Sequence, residues 1–87
     1  MDKYCVYILR TNKGTLYTGI TNNIEKRLKT HRTKKGAKYL RIFKSFELVY
    51  KELAGLKASA LKREREIKKL TKSQKEAMVA SYASNKK

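Results

Sequence analysis

The chain has 87 residues, enough for one domain with a modest core, and carries 23 Lys+Arg against 7 Asp+Glu, a formal charge of +16. A domain this size buries about 60–65% of its unfolded surface, and that much like charge works against a compact monomer. The composition excludes an internal disulfide, because Cys5 stands alone, and a membrane span, because no apolar run approaches about 18 residues.

Met1-Asp2-Lys3 leads straight into a strand and does not read as a signal peptide. With the single cysteine, this points to the reducing cytoplasm. The usual relief for the charge is a polyanion, which makes nucleic acid the expected partner. No membrane and no protein partner is implied. One domain over residues 1–83 is expected, followed by a flexible tail at 84–87.

Tyr4 to Leu9 and Leu16 to Ile20 flank a turn containing Asn12, Lys13 and Gly14. β-branched and aromatic residues around such a turn predict a β-hairpin. A three-residue loop sets Tyr7 opposite Gly19 and Leu9 opposite Tyr17. All four then share one face of the sheet. Two phenols stand near each other there, and Gly19 leaves room for a backbone or a ligand.

Asn22 with Glu25 three residues later reads as a capping box, so a helix follows, ending at residues 30–33. Ile24 and Leu28 form its apolar pair. Arg27 and His31, also i and i+4, run beside them and can face a cleft with the tyrosines. The plainer readings are a solvated arginine and a histidine suited to the helix C-terminal dipole. Arg32 to Lys44 is then a basic loop without an acid, holding Lys34, Lys35, Lys38 and Arg41 among the aromatics Tyr39 and Phe43. Cations mixed with aromatics suit contact with a nucleic-acid backbone and its bases, without choosing DNA over RNA.

Ser45 to Leu53, apolar at Phe46, Leu48 and Tyr50, reads as a third strand ended by Ala54-Gly55. Lys57 to Leu70 reads as a second helix with Ala60, Glu64 and Ile67 on its inward stripe. Glu64 is the odd member, a carboxylate on the core side. It needs a cation or hydrogen bonds, and spacing leaves a metal ion and a salt bridge equally open. Ser73 with Glu76 reads as a capping box for a short third helix. The fold class is α+β, an α/β sandwich: a three-stranded antiparallel sheet flanked by three helices in the order β-β-α-β-α-α.

Val6-Tyr7, then Tyr17-Thr18-Gly19, then Arg27 and His31 on the next helix, resemble the GIY-YIG nuclease domain. Ala60 to Lys68 is similar to the family's segment with its single metal-binding Glu, here Glu64. The likeness is to the small stand-alone bacterial members. Cys5 replaces the first Gly of the motif and Thr18 replaces an Ile, while both tyrosines and Gly19 are kept.

The resemblance implies phosphodiester hydrolysis by Tyr7, Tyr17, Arg27 and His31, with a divalent metal, Mg²⁺ or Mn²⁺, on Glu64. One tyrosine orients or deprotonates the attacking water. Tyr17 is favoured, with Tyr7 in support. A phenol is a poor base until cations lower its pKa from about 10, and the net charge acts in that direction. Two readings stand. The first is a metal-dependent endonuclease on DNA, damaged or branched DNA included. The alternative is a nucleic-acid-binding module with little or no cleavage.

Overall fold

In the computed structural model, which describes residues 3–33 and 44–85, β1 (Tyr4–Thr11) is the middle strand of the sheet. Cys5, Val6, Tyr7, Ile8 and Leu9 are all buried. A strand covered on both faces needs such an unbroken apolar run. β2 (Leu16–Thr21) and β3 (Phe46–Gly55) pair antiparallel on either side, giving the order β2-β1-β3. α1 (Ile24–Arg32), α2 (Lys57–Lys68) and α3 (Lys72–Asn85) complete the expected α+β order.

The hairpin register is the expected one: Tyr7 lies opposite Gly19 and Leu9 opposite Tyr17. The turn closes with Thr11 N–H donating to the Thr15 carbonyl at 2.9 Å, and Gly14 takes a φ of 86° that side chains resist. Asn12 then ties the turn to the start of β3. Its N–H donates to the Ser45 carbonyl at 2.9 Å, and its Oδ1 accepts from Lys44 N–H at 3.1 Å.

The helices divide between the two faces. Ile24 and Leu28 of α1 pack with Tyr7, Leu9, Tyr17, Phe46 and Leu48 on one face. Ala60 and Ile67 of α2 and Val79 of α3 pack with Val6 and Ile8 on the other. The strict alternation expected of β3 fails at Val49. Leu48 pairs with Leu9 while Tyr50 pairs with Ile8, so one extra residue bulges out between them. The bulge leaves Phe46 and Leu48 with α1 and sends Tyr50 to the α2–α3 side.

Two caps also shift by a residue or two. The cap of α1 is Asn23, not Asn22, with Oδ1 accepting from Lys26 N–H at 3.1 Å. Thr21 selects it, because the Thr21 hydroxyl accepts from Asn23 N–H at 3.1 Å. At α3 the reciprocal box is Thr71 and Gln74, at 2.9 and 3.2 Å, not Ser73 and Glu76. Glu76 instead takes a bidentate grip from Arg10, at 2.7 and 2.8 Å, which pins α3 to β1. α3 is longer than expected and continues through Asn85.

Candidate active site

Tyr7 and Gly19 face each other across the hairpin, and the glycine makes the site possible. A Cβ at Gly19 would lie 2.6 Å from the Tyr7 hydroxyl oxygen, 2.8 Å from its Cζ and 3.2 Å from Tyr17 Cε2. The Tyr7 ring therefore lies over the bare backbone of β2. It is 1% exposed, so it has nowhere to retreat.

His31 comes in from α1 and is the buried residue of that helix. Its Nε2 and the Tyr7 hydroxyl share a hydrogen bond of 2.9 Å, the imidazole tautomer setting which of them donates. Tyr17 packs on both rings, with centroids 6.4 Å from Tyr7 and 5.9 Å from His31. Phe46 of β3 closes the far side, edge-on to His31 at 6.0 Å. The sequence offered no reason to place Phe46 here, since its contact depends on the order of the strands.

Burial decides the ionisation of both hydrogen-bonded groups. It pushes the Tyr7 phenol well above the ordinary tyrosine range; a charged Tyr17 would push it further, and Arg27 pulls the other way. At Tyr7 this corrects the expectation that net charge activates a phenol. The loss of water around Tyr7 outweighs the surrounding cations. His31 is lowered, first by burial and then by Arg27. It is a neutral partner of Tyr7, not a cation at the helix end. Arg27 itself is exposed on α1.

Glu64 also bears on Tyr7, since its carboxylate helps to hold the phenol proton. It lies on α2 between buried Ala60 and Ile67. Its side chain is 17% exposed, and Oε2 is 3.2 Å from Lys68 Nζ, one helical turn on. The core-side carboxylate was legible in the sequence; its lysine partner was not singled out. Among the described residues no three His, Cys, Asp or Glu side chains gather as a metal cage. Glu64 supplies a single carboxylate, and one oxygen donor group of that kind suits a hard cation that keeps most of its waters.

Tyr7, Tyr17 and His31 are thus in mutual contact, Gly19 lies under Tyr7, and Arg27 and Glu64 both act electrostatically on the Tyr7 hydroxyl. Lys34, Lys35, Lys38 and Arg41 lie outside the described residues. Residues 3–77 match the GIY-YIG catalytic domain. The chain belongs to the GIY-YIG nuclease family. A UPF0213 protein of Staphylococcus epidermidis is 48% identical over 79 residues, spanning 91% of this chain and 96% of the relative. One from Pectobacterium carotovorum is 51% identical over 77 residues, spanning 88% and 78%. The solution NMR structure of a UPF0213 protein from Bacillus halodurans superposes with a TM-score of 0.58 at 38% identity, covering 90% of this chain and 83% of that one. The GIY-YIG resemblance read from the two tyrosine motifs is therefore borne out, and so is its small bacterial branch.

The second GIY-YIG tyrosine motif departs from its pattern at Thr18, whose hydroxyl is buried without a hydrogen-bond partner among the described residues. Such an orphan costs about 1–3 kcal/mol. The motif's glycine is less replaceable. Gly19→Ala should destabilise the protein by about 1–3 kcal/mol, the cost of overpacking a filled site. Denaturant unfolding measures it, and an unchanged midpoint would mean that Tyr7 moves aside freely.

The Tyr7–His31 pair also predicts an acid limb of stability. His31 titrates below its ordinary 6.5 when folded, so below pH 6.5 the unfolded chain binds the extra proton. Stability should fall as pH drops from 6.5 to about 5, by at most about 1.4 kcal/mol per pH unit, before carboxylates titrate. His31→Gln keeps a hydrogen-bonding side chain without the titration and should flatten this limb in melts run across the window. An equal slope in the variant would place the acid sensitivity elsewhere.

Proposed function

We propose that this GIY-YIG protein is a metal-dependent endonuclease that hydrolyses DNA phosphodiester bonds, damaged or branched DNA included, in the cytoplasm. The observation that carries the reading is the buried Tyr7–His31 hydrogen bond with Tyr17 packed on both rings, beside which the family's Arg27 and Glu64 bear on the Tyr7 hydroxyl by charge. Hydrolysis needs an oriented water, charge stabilisation of the pentavalent phosphate and help for the leaving oxygen.

Each residue takes a part that its surroundings allow. Tyr17 is half-buried against the rings of Tyr7 and His31; it orients the attacking water. Tyr7 keeps its proton and, with neutral His31, forms an uncharged hydrogen-bonded wall behind Tyr17. Exposed Arg27 forks onto the non-bridging oxygens of the phosphate. Glu64 would hold Mg²⁺ or Mn²⁺ with the help of the substrate phosphate, and the metal when bound would offset phosphate charge and assist the leaving oxygen. Cys5, buried and unbridged, fits a reducing compartment.

Purified protein incubated with supercoiled plasmid should give nicked circles with Mg²⁺ or Mn²⁺ and none with chelator. DNA binding should weaken steeply with salt, by about −0.9 in log–log slope per phosphate neutralised. Replacing Lys34, Lys35 and Lys38 by Gln should flatten that slope by about two to three. Salt-sensitive binding without nicking in either metal would make the protein a nucleic-acid-binding module. An unchanged slope in the triple variant would move the interface away from this loop.

A further inference from the structure

The ion pairs of the described residues fall into two kinds. Arg10–Glu76 joins β1 to α3, and Arg63–Glu52 joins α2 to β3, at 2.7 and 2.8 Å. These hold separate elements together. Arg63–Glu66 and Lys68–Glu64, at 3.3 and 3.2 Å, each join two residues of one helix a single turn apart, and Lys68, unlike Arg63, makes no second bridge among the described residues. The Lys68–Glu64 pair ties α2 to no other element, so its release would leave the packing intact. Its two ends are also unequal. The Glu64 side chain is 17% exposed, while Lys68 is 54% exposed on a flexible stem. Glutamate four residues before lysine is the favoured orientation on a helix, so the contact re-forms readily.

We propose that Lys68 is a built-in competitor for the divalent cation at Glu64. The inference rests on the reading of Glu64 as the metal carboxylate. With no cage of three ligands among the described residues, one protein carboxylate has to hold the metal, and its intrinsic affinity is low. A weak site is sensitive to a neighbouring ammonium that claims the same oxygen. Lys68 neutralises the half-buried carboxylate in the metal-free protein, where an unpaired charge would be costly. It swings into solvent when a cation arrives. It thereby raises the metal concentration the protein requires without touching substrate. Lys68 is a positioning residue in this sense, acting through Glu64.

A Mg²⁺ titration of nitrogen-labelled full-length protein, followed by amide NMR shifts around Glu64, tests this without reference to cleavage. Lys68→Met should tighten Mg²⁺ binding about two- to five-fold, the range an exposed ion pair allows. Lys68→Arg, which keeps a cation on Glu64, should stay near wild type. Lys69→Met removes the same unit of charge from the exposed C-cap residue next along and is the control for the overall field. Equal tightening in Lys68→Met and Lys69→Met overturns the competitor role and leaves Glu64 as the metal ligand. Mg²⁺ shifts that persist unaltered in Glu64→Gln overturn the metal assignment itself, and the competitor with it.

Discussion

Arg27→Ala should lower DNA cleavage by roughly 10²–10³ while leaving binding almost unchanged. That is the loss expected when a donor aimed at developing charge is removed, and many other cations remain to hold DNA. The fold should tolerate the change, because Arg27 is exposed on α1 and its backbone N–H still donates to the Asn23 carbonyl. A second readout comes with it. Arg27 is one of the two causes that lower His31, burial being the larger. Without the guanidinium, the His31 titration followed by NMR should move upward toward the ordinary histidine range while staying below it. If cleavage and binding fell together by one small factor, Arg27 would be a backbone contact like any other.

The parts of this fold that the sequence disclosed are those set by local chemistry. Gly14 and the apolar runs beside it determine the hairpin loop, and the loop determines that Tyr7 meets Gly19. The i,i+4 spacing of Ile24 with Leu28 and of Arg27 with His31 likewise follows from helix geometry alone. What stayed hidden depends on partners distant in the chain. Val49 bulges because of how β3 meets Ile8 and Leu9, and no pattern within residues 46–53 records that. Neighbouring residues compete to cap α1, and Thr21 breaks the tie in favour of Asn23 through a hydrogen bond made only once β2 is in place.

The sign of the Tyr7 shift shows the same limit in the site. Net charge is a property of the whole chain and acts through solvent. Desolvation acts on one hydroxyl, and only the packed structure shows that α1, β2 and the ring of Tyr17 enclose it. The local effect is the larger, so the buried Tyr7 phenol keeps its proton. The motif puts the two tyrosines on one face but carries no sign of which of them the packing closes off from water.

Glu64→Gln carries the largest expected loss, the abolition of cleavage at any usual Mg²⁺ or Mn²⁺ concentration. The substitution keeps the shape and hydrogen-bonding atoms but removes the charge that would hold a divalent cation. Stability separates this from a structural role, and the Lys68 contact sets the scale. Had Glu64 been a buried anion without a partner, its neutralisation would have stabilised the metal-free protein. Had it been one end of a buried bridge, its loss would have cost about 3–5 kcal/mol. The observed partner is a lysine 54% exposed on the same helix, so the pair contributes less than about 1 kcal/mol. The Gln variant should therefore melt close to wild type, bind DNA with the same salt slope, and show no Mg²⁺-dependent NMR shifts around position 64. Thermal melts and a metal titration on both proteins decide it. A variant that loses several kcal/mol of stability while keeping the wild-type metal response would remove Glu64 from the metal site, and with it the principal support for metal-dependent cleavage by this chain.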